Sequence, residues 1–147
     1  MILFGDSLLL DLNSSYPTFS VPGLSIEKFL NNPTTELPLD EVKQSQKWIV
    51  SLGTNDMIPI HEYCDLVLSL AKTLKTIYGA SGVDFIIPRK FSMFNDWLSE
   101  LEFKLSDQDA LLQFFAGDES DLILLEGDFI HLNEKGKREL VDFIEKP

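Results

Sequence analysis

The sequence predicts an α/β protein built on a parallel β-sheet. Short apolar runs alternate with segments of helical periodicity along its 147 residues, and this alternation is typical of parallel strands joined by helices. The length is sufficient to bury a substantial core. Hydrophobic residues make up 44% of the chain, which favours a folded protein over a disordered one. We therefore expect a single domain over residues 1–147.

Apolar runs mark the predicted strands. The second run is the least regular, because Pro17 and Pro22 bracket it and leave few backbone groups for pairing. The five predicted strands span about 1–4, 18–22, 48–52, 83–87 and 122–125.

Helical patterns fill the first intervals between the strands. A short helix is predicted near 25–31, after Gly23, and residues 32–45 are predicted to form a loop plus a short helix. The clearest helix spans 61–78 and is expected to end at Gly79. Its apolar residues recur at the 3.6-residue period of a helix: Leu66, Val67, Leu70, Ala71, Leu74, Ile77 and Tyr78.

Three more helices are predicted towards the end of the chain. The first spans 92–105 with Ser92 as its cap, and the second starts at a capping-box pattern in 106–109 and ends near Gly117. The third spans 133–145 with Asn133 as its cap. The side chains expected to face the core are Phe94, Trp97, Leu98, Leu101 and Leu105 in the first of these, and Leu140, Val141 and Ile144 in the third.

Charge and composition exclude several classes of function. The chain has 12 basic and 24 acidic residues, a net charge of −12, and both nucleic acid and anionic membranes repel such a protein. No apolar stretch approaches the ~20 residues of a membrane span. A single cysteine, Cys64, suits a reducing compartment, and the apolar run from Met1 leaves no room for a signal peptide. We expect a cytoplasmic protein, with its oligomeric state left open.

Polar blocks stand at the ends of three of the apolar runs. Gly5-Asp6-Ser7-Leu8 follows the first run, Gly53-Thr54-Asn55-Asp56 the third, and Asp128-Phe129-Ile130-His131 the fifth. In open parallel sheets, ligands bind at the carboxyl ends of the strands. The blocks are therefore expected to meet at one edge of the sheet.

The residue types in these blocks are those of an acyl-transfer triad. A serine hydroxyl needs a base to take its proton, and the imidazole needs a carboxylate to hold its tautomer. This favours Ser7 as nucleophile, His131 as base and Asp128 as the orienting carboxylate. The alternatives are a helix-capping role for Ser7 and His61, the second histidine of the chain, as base.

The ordered set Ser7, Gly23, Asn55 and His131 resembles the SGNH hydrolase family, also called GDSL hydrolases. Each block alone is a weak signal, but the three blocks in the family order cover nearly the whole chain. The resemblance implies a three-layer α/β/α sandwich with a five-stranded parallel sheet in the order 2-1-3-4-5. It also implies hydrolysis of carboxylic esters with no metal and no other cofactor.

The resemblance further implies an oxyanion hole made by the Ser7 N–H, the Gly23 N–H and the Asn55 side chain. Such donors stabilise the negative oxygen of a tetrahedral intermediate. The residues around Gly23 depart from the usual family block, which leaves a plain Pro-Gly turn as the alternative. Asp6 and Asp56 are expected to shape turns and cap helices.

The expected partner is a small ester substrate. The short chain leaves little room for a lid, which favours a short acyl group such as acetyl. Thr54, Arg89, Phe129 and Ile130 are candidate substrate contacts. Arg89 and its neighbour Lys90 either attract an anionic group or pair with nearby acids. A catalytically degenerate binding or accessory module is the alternative function.

Overall fold

A five-stranded parallel sheet forms the centre of the molecule. The computed structural model describes residues 1–42 and 46–146. The strand order is β2-β1-β3-β4-β5 and all neighbouring strands are parallel, as predicted. The strands are β1 (Ile2–Gly5), β2 (Thr18–Ser20), β3 (Lys47–Ser51), β4 (Gly82–Ile86) and β5 (Ala110–Leu112).

Helices cover both faces of this sheet. They are α1 (Ile26–Asn31), α2 (Pro33–Glu36), α3 (Ile60–Tyr78), α4 (Asn95–Lys104) and α5 (Glu134–Glu145). Short 3₁₀ turns occur at Ser7–Leu9, Leu39–Glu41, Arg89–Phe91 and Glu119–Leu124. None of the described helices is long and apolar enough to cross a membrane. The predicted segment 32–45 contains α2 and one 3₁₀ turn, and its residues 43–45 lie outside the described part of the chain.

One face of the sheet packs against α1, α3 and α4. Alternate strand residues point to this face, and aromatic side chains dominate the contact. The Trp48 ring lies 5.9 Å from that of Phe4 and 5.5 Å from that of Tyr78. The Tyr78 hydroxyl donates to the carbonyls of Pro33 and Leu37, which ties the end of α3 to the chain around α2. This face holds the larger of the two clusters of buried hydrophobic side chains.

On the opposite face, the described part of the chain provides a single α-helix, α5. Leu3, Ile49 and Ile86 pack there against α5 and against the turns Ser7–Leu9 and Glu119–Leu124. Leu140 and Ile144 provide the buried side of α5, as predicted, and Val141 is half-buried. Turns and loops therefore cover much of this face, and the Ser7 and His131 segments belong to it.

The fifth strand is not where the sequence predicts it. β5 pairs with β4 at Ala110–Leu112, whereas the predicted strand at 122–125 falls mostly in a 3₁₀ turn. The buried Asp121 carboxylate accepts the N–H groups of Ala116 and Gly117, both at 2.8 Å, and this bends the chain away from the sheet. The predicted strand at 122–125 is therefore wrong.

The helix predicted from 106 to Gly117 is also wrong, because β5 lies within it. Ser106 and Asp109 do form a local turn, with the Ser106 hydroxyl donating to the Asp109 carboxylate at 3.0 Å. That carboxylate also accepts the Val83 N–H at 2.9 Å and pairs with Lys75 at 2.5 Å. These contacts with β4 and α3 direct the chain into a strand.

The boundaries of α4 differ from the prediction, whereas those of α3 and α5 agree with it. α4 begins at Asn95, and the Ser92 hydroxyl donates to the Pro88 carbonyl at 3.1 Å instead of capping it. Leu98 and Leu101 are buried as predicted and Leu105 is half-buried, but Phe94 and Trp97 are 38% and 44% exposed. The buried stripe of α4 is narrower than the periodicity indicates.

Candidate active site

Ser7, Asp128 and His131 meet at the carboxyl edge of the sheet. The Ser7 Oγ lies 3.1 Å from the His131 Nε2, and the His131 Nδ1 lies 2.5 Å from the Asp128 Oδ2. With the proton on Nδ1, the Nε2 lone pair faces the hydroxyl and can accept its proton. The three predicted residues thus form one chain of hydrogen bonds.

Ser7 lies on a turn that is held from both sides. The Asp6 N–H donates to the Ser51 carbonyl at 3.1 Å, and the Asp6 carboxylate accepts the Leu8 N–H at 3.0 Å. This carboxylate is 2% exposed, and its second oxygen has no hydrogen-bond partner within the described residues. Burial raises the pKa of Asp6 to about 6. Asp6 therefore caps the turn, as predicted, at the cost of its own solvation.

Asp128 is held by a local turn. One carboxylate oxygen accepts the N–H groups of Ile130 and His131, at 2.9 and 3.0 Å, and the other meets the imidazole. The hydrogen bond with the His131 ring, followed by these two backbone bonds, lowers the pKa of Asp128 to about 2. Phe129 has a φ of 59°, which is uncommon for a residue other than glycine. The turn thus combines an ionised carboxylate with a strained backbone.

The segment around this turn is anchored at its base. Leu125 and Leu132 form an antiparallel bridge, and the Glu126 N–H donates to the His131 carbonyl at 2.8 Å. Asp128 and His131 therefore do not follow a strand, which corrects the predicted placement. They lie in a loop between the Glu119–Leu124 turn and α5, because the chain has already left the sheet.

Asn133 and Gly136 fix α5 against this loop. The Asn133 side chain accepts the Gly136 N–H at 2.8 Å, as predicted for a cap, and donates to the carbonyls of Ile123 and Leu125. A Cβ at Gly136 would lie 2.1 Å from the Leu124 carbonyl oxygen. Only glycine permits this approach, so the first turn of α5 sets the position of the loop.

Asn55 lies in the exposed loop after β3. Its side-chain amide donates one hydrogen to the Leu24 carbonyl at 3.0 Å, and a second amide hydrogen remains for another acceptor. The adjacent Asp56 carboxylate accepts the N–H groups of Ile26 and Glu27, at 2.8 and 3.2 Å. The loop that carries Asn55 is therefore tied to the start of α1, directly after Gly23.

Gly23 adopts a φ of 79°, which strongly favours glycine. Its N–H has no hydrogen-bond partner within the described part of the chain. Gly23 therefore forms the tight turn that was expected as its alternative role. It also keeps a backbone N–H group that is free to donate. Its role in an oxyanion hole stays a prediction, as does that of Asn55.

Lys90 and Arg89 have structural partners that the sequence does not reveal. The Lys90 ammonium donates to the carbonyls of Thr54 and Asp56, at 2.9 and 2.5 Å, on either side of Asn55. Desolvation lowers the pKa of Lys90. The Arg89 guanidinium pairs with Asp121 at 3.0 Å, so the predicted pairing with a nearby acid is present. A substrate contact by Arg89 stays a prediction.

Two cavities flank the Ser7–His131 pair. The first, here named the apolar cleft, has a volume of about 400 Å³ and is lined by all four predicted substrate contacts, Thr54, Arg89, Phe129 and Ile130. Leu8, Met57, Met93 and Phe115 extend its wall. The sequence does not identify Met57 and Met93 as residues of this cleft, although Met57 directly follows the Asn55 block.

The second cavity, here named the polar pocket, has a volume of about 240 Å³. Ser7 and His131 themselves line it, together with the charged side chains of Asp11, Glu126 and Lys137. Three leucines, Leu8, Leu10 and Leu132, complete its wall. The three charged residues were also missed, because no local motif marks them. The proposed nucleophile therefore lies between an apolar and a polar space.

His61 and Cys64 lie elsewhere. They line a cavity of about 190 Å³ between α3 and α4, beside Trp97. Burial raises the pKa of the Cys64 thiol, which opposes a reactive thiolate. Within residues 1–42 and 46–146, no group of His, Cys, Asp and Glu side chains is placed to hold a metal ion. Of the two histidines, His131 is the one beside Ser7.

Comparison by sequence finds no relative, since no family model and no curated protein matches the chain. Comparison of structures finds the same fold in several solved proteins, two of which follow. The first, from Streptococcus pneumonia, is provisionally described as a platelet activating factor; it has a TM-score of 0.74 and 16% identity, over 98% of this chain and 81% of that one.

The second is the psychrotrophic esterase EstA from Pseudoalteromonas sp., in a structure inhibited by monoethylphosphonate. It has a TM-score of 0.68 and 17% identity, over 97% of this chain and 93% of that one. These similarities confirm the α/β fold with its five-stranded parallel sheet, and at such identities they concern the fold alone.

Proposed function

We propose that this protein is an SGNH-type serine hydrolase that cleaves carboxylic esters through an acyl-enzyme on Ser7. The observation that carries the proposal is the continuous hydrogen-bond chain from the Ser7 hydroxyl through the His131 ring to the Asp128 carboxylate. Such a chain activates a hydroxyl that is otherwise a weak nucleophile. EstA, which shares this fold, is an esterase, and this is consistent with the proposed use of the fold.

Acylation begins when the Ser7 Oγ attacks the ester carbonyl carbon and its proton moves to the His131 Nε2. The carbonyl oxygen becomes an oxyanion, which the N–H groups of Ser7 and Gly23 and the Asn55 amide stabilise. The bond between the carbonyl carbon and the alcohol oxygen then breaks. The alcohol leaves with the proton from His131, and the acyl group remains on Ser7.

Deacylation reverses these proton movements. Water attacks the acyl-enzyme while His131 accepts its proton, and the bond to the Ser7 Oγ breaks as that oxygen regains a proton. The carboxylic acid is released. Asp128, whose lowered pKa keeps it ionised, stabilises the imidazolium in both steps.

Reaction with a fluorophosphonate tests this proposal directly. These reagents phosphonylate an activated serine, so the protein should gain the mass of one phosphonyl group on Ser7 and lose hydrolysis of p-nitrophenyl esters. Ser7→Ala should prevent both, while Ser14→Ala, a serine near Ser7 in sequence but bonded to Glu145, should prevent neither. An unreactive, correctly folded protein would instead favour the binding or accessory module.

The dependence of activity on pH gives a second test. A protonated imidazole cannot accept the Ser7 proton, so ester hydrolysis should fall on acidification. Histidine is the side chain whose charge ordinarily changes between about pH 5 and 8. Constant kcat/KM across that range would contradict a histidine base.

A further inference from the structure

The apolar cleft gathers exposed apolar side chains in one place. Met57, Met93, Phe129 and Ile130 are 90%, 61%, 58% and 53% exposed, and all four line this cleft. Scattered exposed apolar residues are ordinary, but a contiguous group around a concave surface marks a binding site. The cleft therefore suits an apolar part of a ligand.

The two basic residues of the cleft already have partners. The Arg89 guanidinium pairs with Asp121 and also donates to the Asp118 carbonyl at 3.0 Å. The Lys90 ammonium is directed to two backbone carbonyls. Their aliphatic stems can contribute to the wall while their charged ends stay occupied. The cleft thus suits an uncharged chain.

The position of His131 decides which half of an ester enters which cavity. The alcohol leaves with a proton from the His131 Nε2, so the alcohol oxygen has to lie next to this atom. Ser7 and His131 line the polar pocket but not the apolar cleft, whereas Ile130 lines the cleft alone and Leu8 lies between the two. The alcohol therefore belongs to the polar pocket and the acyl chain to the apolar cleft.

The charges of the polar pocket indicate the kind of alcohol. Asp11 and Glu126 are acidic, and Lys137, the one lysine among the described residues of this pocket, also lies 3.6 Å from Glu134. An excess of negative charge repels an anionic alcohol, such as one bearing phosphate. Carboxylates and an ammonium together offer acceptors and donors to hydroxyl groups. A neutral alcohol with several hydroxyls fits this pocket.

We propose, on the basis of the ester-hydrolase function above, that the substrate is a medium-chain acyl ester of a small neutral polyol. The acyl chain lies in the apolar cleft and the polyol in the polar pocket. At roughly 30 Å³ per methylene, about the volume of a water molecule in the liquid, a chain of eight carbons occupies about 240 Å³ and fits with room to spare in the cleft of about 400 Å³. An acetyl group would leave most of it empty.

A chain-length series tests the acyl site. With p-nitrophenyl esters from acetyl to dodecanoyl, kcat/KM should rise roughly two- to fourfold per methylene up to about eight carbons, as apolar surface is buried. Met93→Asp and Met57→Asp place a charge in the cleft and should lower the octanoyl-to-acetyl ratio of kcat/KM at least tenfold. Phe103→Asp is the matched control, because Phe103 is 91% exposed on α4 outside the cleft, and it should keep the wild-type ratio.

A second series holds the acyl chain at octanoyl and varies the alcohol. The monoester of glycerol should have a higher kcat/KM than the esters of glycerol phosphate and of octanol. Preference for the phosphate-bearing or the long-chain alcohol would overturn the assignment of the polar pocket. Acetyl esters cleaved as fast as octanoyl esters would overturn that of the apolar cleft.

Phosphonate labelling separates the two levels of the proposal. If Ser7 is labelled and acetyl esters are preferred, the substrate assignment fails and the hydrolase function stands. If Ser7 is not labelled and no ester is cleaved, both fail.

Discussion

The two halves of the candidate site are supported in different ways. Ser7 and Asn55 follow the central strands β1 and β3, and the carboxylates beside them, Asp6 and Asp56, are 2% and 3% exposed. The side chains of His131 and Asp128 lie in a surface loop and are 46% and 43% exposed. The first half is positioned by the sheet, and the second by hydrogen bonds within a few residues.

The importance of a residue for the proposed reaction is therefore separate from how strongly the fold holds that residue in place. The proposed mechanism requires both halves equally, since a nucleophile without a base is inactive. Their sensitivity to substitution of neighbouring residues should nevertheless differ. Changes near the strands act on buried groups, whereas changes in the loop act on groups that water can reach and partly replace.

Removal of the Ser7 or the His131 side chain should affect activity equally, although the two residues are supported in different ways. Ser7→Ala and His131→Ala should each lower kcat for ester hydrolysis on the order of 10⁴- to 10⁶-fold, and the double variant little further, because triad residues act as a unit. Steady-state kinetics on one ester, with circular dichroism as a check of folding, would measure this. Substantial turnover by Ser7→Ala would end the proposed mechanism.

Asn55→Ala should show a mainly chemical effect within the strand-supported half. Loss of one oxyanion donor costs roughly 10²- to 10³-fold in kcat. Asn55 is exposed and its side chain makes one hydrogen bond, to the Leu24 carbonyl, so the melting temperature should fall only slightly. Asp56→Ala is the contrasting variant, because its carboxylate bonds the start of α1, and it should lower stability as well. If Asn55→Ala unfolds the protein, Asn55 has a structural role instead.

Asp6 should make the strand-supported half sensitive to pH. Its pKa of about 6 in the folded protein lies above the ordinary 3.8, so the fold binds this proton more tightly than the unfolded chain does. The resulting stabilisation is complete below about pH 3.8 and is lost as the pH rises through about 6. A one-unit change in pKa corresponds to about 1.4 kcal/mol, so the loss is about 3 kcal/mol.

Asp6→Asn keeps an oxygen for the Leu8 N–H and cannot ionise. The difference between the unfolding free energies of wild type and variant, from urea titrations at pH 4, 5, 6 and 7, should therefore change across this range. Other carboxyl groups titrate in both proteins and cancel in the difference. A constant difference would mean that Asp6 does not titrate there.

Among the variants of Ser7, His131, Asn55 and Asp128, Asp128→Asn should have the smallest effect on kcat. The exposed imidazole can recruit water to its Nδ1, so we expect kcat to fall roughly 10- to 100-fold, less than the ~10⁴-fold for a buried triad carboxylate. KM should be nearly unchanged, since Asp128 does not line either cavity. A 10⁴-fold loss would show that the exposed half is as sensitive as a buried one.

The same contrast explains which elements could be predicted from the sequence. β1, β3 and β4 are largely buried and therefore appear as apolar runs, interrupted in β4 by Asp84. β5 is a half-buried edge strand of three residues, Ala110–Leu112, with no β-branched side chain. The sequence predicts the more apolar run at 122–125 in its place, because apolar content does not reveal the hydrogen bonds of Asp121 with Ala116 and Gly117 that bend this segment.

More of the candidate site could be predicted from the sequence than of the contacts that hold its residues in place. Ser7, Asp128 and His131 stand in short motifs, so their types and order were visible, and the structure brings all three together. Two other features depend on residues that are distant in sequence. These are the hydrogen bonds of Lys90 to the loop that carries Asn55, and the charged side chains that line the polar pocket. No local pattern carries such information.

The separation of Ser7 from His131 by 124 residues has a consequence for biosynthesis. A ribosome adds about 5–20 residues per second, so Ser7 is made roughly 6 to 25 seconds before its base. During that interval the nascent chain has a serine but no means of activating it. The proposed ester cleavage therefore requires that the His131 loop has been synthesised and has docked beside Ser7.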